Sequence, residues 1–142
     1  MTELQSDVDK ARTVETFLYA LQNEDYDSVD SAMADNLVWQ NVGFSTVRGR
    51  HRVVKVLRRM EGRLGFEVKI HRIAAEGATV LTERTDAFVI GPLRLQFWVC
   101  GVFEVHGGRI TLWRDYFDVF DCIKASVRGL AATVFPSLRP SF

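Results

Sequence analysis

The 142-residue sequence has little of what several function classes require. It holds two cysteines, Cys100 and Cys122, and three histidines. The cysteines make no metal-ligand spacing, and a disulfide between them is not expected in a cytoplasmic protein. His51 and His71 sit among charges and His106 sits in a turn sequence, so each reads as a solvated side chain rather than a ligand. No metal and no organic cofactor are expected. Neither sign of charge is in excess. Lys+Arg and Asp+Glu both number 18, which removes the usual basis for capture of nucleic acid or an anionic membrane. The longest apolar stretch, residues 88–103, is broken by Pro92 and Arg94 and is no membrane span. Residues 1–7 are polar and acidic, without the basic and apolar regions of a secretory leader, so a cytoplasmic location is expected. There is no Gly-x-Ser-x-Gly elbow, Gly-rich phosphate loop or His-Glu-x-x-His. Internal repeats, linkers, low-complexity segments and Asn-x-Ser/Thr sequons are also lacking.

What is present is apolar material. Hydrophobic residues make up 47% of the chain, enough at this length for one domain, residues 1–142, with a sizeable core. Ten Phe and three Trp, many on strand-like segments, can line an apolar pocket.

Ser6-x-x-Asp9 resembles a capping box. After it Val8, Ala11, Val14, Phe17, Leu18 and Leu21 form one helical stripe. Asn23-Glu24-Asp25 breaks that helix. Tyr26, Val29, Ala32 and Met33 suggest a short second one, giving a helical hairpin against a sheet. Residues 37–44 read as the first strand. Gly49-Arg50 opens a third helix to about Arg63. Its basic side (Arg50, Arg52, Lys55, Arg58, Arg59, Arg63) reads as a solvated face. Strands are expected over 66–73, 81–90, 93–105 and 110–120, turned by Glu76-Gly77, Gly91-Pro92 and His106-Gly107-Gly108. A terminal amphipathic helix is expected over 121–134, and Pro136 and Pro140 end regular structure. The pattern is α+β. It implies a strongly curved, mainly antiparallel mixed sheet wrapped around N-terminal helices, a cone with a deep apolar pocket.

Two strands carry unusual charges. Alternation puts Thr82, Arg84, Asp86 and Phe88 on one face of the 81–90 strand. It puts Asp115 on the face of Thr111, Trp113, Phe117 and Val119. Buried charges are costly unless paired. If both strands face one cavity, Arg84 can lie between Asp86 and Asp115, holding both with a fork that lysine lacks. Such a row is either a buried ion-pair network without catalytic role, or an acid and a base dividing labour on a neutral lipophilic substrate.

Around these residues the chain resembles the limonene-1,2-epoxide hydrolase family, with the curved-sheet fold shared with ketosteroid isomerase and nuclear transport factor 2. The likeness rests on Glu83-Arg84-Thr85-Asp86, Trp113-Arg114-Asp115-Tyr116-Phe117-Asp118 and Gln40-Asn41-Val42-Gly43-Phe44, and runs from about Val8 to Phe120. It implies one-step opening of a lipophilic epoxide (terpene, sterol or fatty-acyl) by water, giving a vicinal diol. Asp115 matches the family's base, Asp86 its acid, Arg84 the arginine joining them, and Asn41 an asparagine that holds the water. Where the family has a tyrosine as a further water partner, this chain has Trp39. Indole offers one N–H donor and no acceptor, so Trp39 is either a water ligand or pocket wall. A homodimer is implied too. The alternatives are a ketosteroid-isomerase-type enzyme and a non-catalytic carrier of a hydrophobic ligand.

Overall fold

Ser6 opens the described chain as a helix cap, its hydroxyl accepting from the Asp9 N–H at 3.1 Å. In this computed structural model residues 6–142 are described; residues 1–5, part of the segment on which the leader reading rests, lie outside them. Helix α1 (Asp7–Gln22) buries Val14, Phe17, Leu18 and Leu21 of the predicted stripe, but Ala11 is only half-buried and Val8, in the first turn, is exposed. Helix α2 (Tyr26–Ala32) starts at Asp25, whose carboxylate caps it.

The chain then enters the sheet sooner than the sequence suggests. Met33 opens strand β1 (Met33–Asn41) rather than extending α2. β1 also stops at Asn41, and Val42 to Phe44 form a turn in which Gly43 adopts φ +86°, a conformation L side chains rarely take. That turn returns the chain as a short strand, β2 (Ser45–Arg48), which the single run over 37–44 concealed. Helix α3 (Arg50–Met60) follows, three residues shorter than expected. Its basic side is partly neutralised by α2 and β1. Arg50 lies 3.4 Å from Asp30 and 2.7 Å from Asp35, and Arg58 lies 3.3 Å from Asp27.

Strands β3 (Gly65–Glu76), β4 (Thr79–Ile90), β5 (Leu93–His106) and β6 (Arg109–Phe117) form a meander at the predicted turns. The sheet order is β2-β1-β6-β5-β4-β3, antiparallel throughout except for the parallel β1–β6 pair. Register shifts in β1, β3 and at the end of β5 bend the sheet. The strand expected over 110–120 ends at Phe117. Asp118 caps helix α4 (Val119–Val134) by accepting from the Asp121 N–H, so Val119 and Phe120 are helical and Val119 leaves the Asp115 face. A 3₁₀ turn at Pro136–Leu138 follows.

The α1 stripe packs on the inner face of the sheet. Phe17 meets Phe103 of β5 and Trp113 of β6 edge-on, at ring distances of 6.4 and 5.0 Å. Each such side chain contributes on the order of 2 kcal/mol by burial. With helices filling one end of the curved sheet and α4 closing against β5, an apolar cavity of about 410 Å³ remains between them. Among the described residues no helix is long and apolar enough to cross a membrane.

Candidate active site

Among the described residues Arg84 is the largest fully buried side chain, 1% exposed. It projects from the middle of β4 toward the inside of the sheet, and its guanidinium is fully engaged. Nε donates to Asp86 Oδ1 at 2.8 Å and Nη2 to Asp86 Oδ2 at 3.0 Å, a bidentate fork. Nη1 donates to Thr82 Oγ1 at 3.1 Å. Nη2 also lies 2.7 Å from Asp115 Oδ1. That last approach is close as an ion pair but is not aligned as a hydrogen bond, so Oδ1 has a charge contact and no hydrogen-bond partner. The row expected from alternation therefore exists, and Thr82, counted on the right face, also has a part in it.

Register explains the convergence. Arg84 pairs with Val99, and the next inward position on β5 is Gly101, opposite Thr82 on one side and Asp115 on the other. A methyl group at Gly101 would lie 2.7 Å from Thr82 Oγ1 and 3.0 Å from Asp115 Oδ1, and would collide with Arg84 Nη1. The guanidinium occupies the space that a side chain on β5 would need. Sequence reading passed over Gly101, although an isolated glycine inside a strand is the signal of such a close approach.

Electrostatics separate the groups of the row. Burial pushes Asp86 up to about 6, against the pull of the Arg84 charge and hydrogen bonds, and the nearby Asp115 charge adds to the rise. Burial also works against the Arg84 cation, but the two carboxylates outweigh it and hold the guanidinium more firmly protonated than usual. Asp86 and Asp115 are 3% and 4% exposed and both line the cavity. A carboxyl group near 6 can donate a proton at mildly acidic pH, and a second carboxylate beside it can accept one.

The two water-site candidates stand on β1, beside β6. In the parallel register Asn41 faces Asp115 and Trp39 faces Trp113, and both Asn41 and Trp39 line the cavity. The Asn41 amide donates only a long bond, 3.4 Å, to Ser45 Oγ. The Trp39 ring stacks on Trp113 at 4.5 Å and 13°. Its indole N–H is buried and has no partner. In the sequence Trp113 is an apolar neighbour of Asp115 and the first residue of the matching 113–118 stretch, with no role of its own, yet its N–H donates to Asp115 Oδ2 at 3.0 Å. The remaining walls are mostly apolar, with Leu57 and Met60 from α3, Phe88 and Phe97 from the sheet, and Cys122 and Ala125 from α4, beside the hydroxyl-bearing Tyr26, Ser45 and Ser126.

The histidines stand apart from this site. His71 bonds Thr85 Oγ1 at 2.7 Å and stacks on Trp98, and His51 and His106 are exposed. Both cysteines are free, and among the described residues no group of His, Cys, Asp and Glu has metal-holding geometry.

A model of the limonene-1,2-epoxide hydrolase catalytic domain matches residues 8–128. The chain is 70% identical over 126 residues to epoxide hydrolase EphG of Mycobacterium tuberculosis, covering 89% of this chain and 85% of that protein. It superposes with a TM-score of 0.94 on the structure of an M. tuberculosis epoxide hydrolase of this type, at 65% identity, covering 96% and 97% of the two chains. A protein with a ketosteroid isomerase-like fold from Catenulispora acidiphila superposes with a TM-score of 0.70 at 16% identity, covering 81% and 92%, which is a likeness of fold alone.

Proposed function

The chain belongs to the limonene-1,2-epoxide hydrolase family, and from that premise we propose that it opens a lipophilic epoxide to a vicinal diol in one step, without a covalent intermediate. The observation that carries this reading is Asp86 and Asp115 on either side of Arg84 at the wall of an apolar cavity of about 410 Å³. In the reaction, Asp115 takes a proton from a water held with Asn41. The water oxygen bonds to an epoxide carbon as that carbon's bond to the ring oxygen breaks, and Asp86 gives its proton to the leaving oxygen. Atoms balance as epoxide plus water to diol. The proton gained by Asp115 must return to Asp86 before the next turnover. Arg84 supports both steps by fixing the carboxylates and by stabilising whichever of them is charged. No metal or organic cofactor has a part in this scheme.

The cavity volume lies at the lower end of the usual ligand-site range, and the apolar walls favour a terpene, sterol or fatty-acyl epoxide over a polar one. An isomerase of the ketosteroid type wants a lone base and neutral oxyanion donors, whereas here an arginine is paired with both acids. A carrier would keep the walls without needing both carboxylates. The whole of residues 1–142 is proposed to act as one domain, in the cytoplasm. We also propose a homodimer, consistent with Trp98 and Tyr116 staying about half-exposed on the late strands; sedimentation at working concentration tests it.

The deciding experiment is diol formation from a panel of epoxides graded in size. Asp86→Asn and Asp115→Asn should each lower turnover by on the order of 10²-fold or more. Arg84→Lys should be nearly as damaging, because an ammonium cannot hold two carboxylates in fixed geometry. Binding of an epoxide with no diol formed by the unmodified chain would favour the carrier.

A further inference from the structure

Trp113 has no part in the scheme above, yet among the described residues it makes the one aligned hydrogen bond that Asp115 receives from another side chain, Nε1 to Oδ2 at 3.0 Å. The indole itself is held firmly. It is 4% exposed, stacked on Trp39 at 4.5 Å and met edge-on by Phe17 at 5.0 Å and 84°. Trp113 and Asp115 are two apart on β6 and share its inner face, and across the β1–β6 ladder they pair with Trp39 and Asn41. Asp115 Oδ1 is turned to Arg84 and Gly101 inside the sheet and is fully buried. Oδ2 is the oxygen that Arg84 does not hold.

We propose that Trp113 is a positioning residue whose indole N–H sets the rotation of the Asp115 carboxylate, so that Oδ2 faces the water it deprotonates. The inference rests on the reading of Asp115 as base. Arg84 anchors Oδ1, and an anchor at one oxygen alone does not fix the direction of the other. A second donor, on a ring clamped by two aromatic neighbours, removes that freedom. Preorganisation of this kind acts on the chemical step more than on binding.

The donor also stabilises negative charge on the coupled row, so its loss should move the acidic limb of the rate profile to higher pH. The other charged or titratable groups around the cavity are Arg84 and Asp86 from β4, Tyr26 from α2 and Cys122 from α4. Burial raises both Tyr26 and Cys122 above ranges that are already alkaline, so neither can produce an acidic limb in the rate profile.

The test compares kcat, KM and the pH profile of the unmodified chain with those of Trp113→Phe and Phe17→Leu, with Tm recorded for each. Trp113→Phe keeps an aromatic ring and deletes the donor. It should lower kcat on the order of tenfold, leave KM within about twofold, and move the acidic limb up by roughly one unit. Phe17→Leu loosens the packing around the indole and keeps the donor. It should lower Tm while the acidic limb stays in place. An unmoved limb and unchanged kcat in Trp113→Phe, or an equal shift in Phe17→Leu, overturns the inference. Should Trp113→Phe fail to fold, the indole N–H resonance of Trp113 in the ¹⁵N-labelled unmodified chain decides. With only three tryptophans, it is assigned from Trp39→Phe and Trp98→Phe. It should titrate with the acidic limb, and a resonance that does not titrate there overturns the inference. Asp115→Asn separates the two levels. Full turnover by that variant removes the base reading and this inference together. An inactive Asp115→Asn beside a normal Trp113→Phe removes this inference alone.

Discussion

Gly101 stands opposite Asp115 across the β5–β6 ladder, and the side chain it lacks is the room in which the Arg84 guanidinium reaches that carboxylate. Three strands meet there. β4 supplies the cation and one acid, β6 the other acid, and β5, running between them, supplies only space. The site thus depends on a residue with no functional group.

Gly101→Ala should therefore damage activity as severely as loss of a charged member of the row. The added methyl would displace a guanidinium that is held by two carboxylates and a hydroxyl and is only 1% exposed, so the end of the arginine has nowhere to go. Overpacking of this kind costs about 1–3 kcal/mol of stability. Turnover should fall on the order of 10²-fold at a temperature where the variant is still folded. A folded Gly101→Ala chain with ordinary activity would show that the observed contacts do not constrain the working site.

The second expectation concerns pH and rate. Asp86 must carry a proton to serve as acid, and burial holds it near 6. Activity measured as kcat/KM should then fall as pH rises through about 6, and fall again on the acidic side as the base becomes protonated. The two limbs belong to the coupled row rather than to single residues. A flat profile from pH 5 to 8, with chemistry limiting the rate, would contradict paired acid–base work.

A third expectation uses the same group to read stability. Asp86 goes from an ordinary 3.8 to about 6 in the folded chain, so between those values the folded state binds more proton than the unfolded one. Its contribution to stability is fully present below about 3.8 and is lost as pH rises through about 6. Asn at position 86 does not titrate. The Tm of the unmodified chain should therefore drop relative to Asp86→Asn, on the order of several degrees, as pH is raised from 4 to 7. A difference in Tm that does not change with pH would mean that the Asp86 carboxyl is not shifted in the folded protein.

Much of this architecture was legible because alternation is a strong signal. Arg84 and Asp86 two apart on a strand, and Asp115 on another, could each be given a face without knowing the fold, and the structure supplies the condition that both faces look inward. The glycine-containing turns at Gly91 and Gly107 marked where the meander reverses. The errors lie where a local signal was ambiguous. The apolar run through Val119 and Phe120 looked like continued strand, yet Asp118 with Asp121 three residues on is a helix start, and the cap decided the matter. Gly43 ended β1 early and created β2 for a conformational reason that a run of β-formers concealed. The space at Gly101 and the contact made by the Trp113 N–H escaped notice for a different reason. What a missing side chain makes room for, and where an indole N–H points, depend on the neighbouring strand's register, which one strand's sequence does not contain.

The last expectation separates direct attack by water from attack by a carboxylate. Both acids lie in the cavity wall, so either could in principle bond to carbon, forming an ester that water later cleaves. The geometry argues against this. Asp86 has both oxygens engaged by Arg84, at 2.8 and 3.0 Å, and Asp115 has one oxygen held by Trp113 and the other against Arg84. Carboxylates held in this way are placed to move protons, and attack on carbon would require one of them to leave its partners. The test is a single turnover in ¹⁸O-water with enzyme in excess of epoxide. Direct attack puts the label in the first diol formed and inverts the carbon attacked. An ester intermediate gives a first diol carrying unlabelled oxygen from the enzyme, with label entering the protein instead. Unlabelled diol in that first turnover would sink the one-step reading. If the diol is labelled, Trp39→Tyr becomes informative, because it restores the family's phenol beside Asn41. A faster Trp39→Tyr chain would mean that the water site lacks a ligand in this protein, and an unchanged rate would make the indole a wall that holds Trp113 in place.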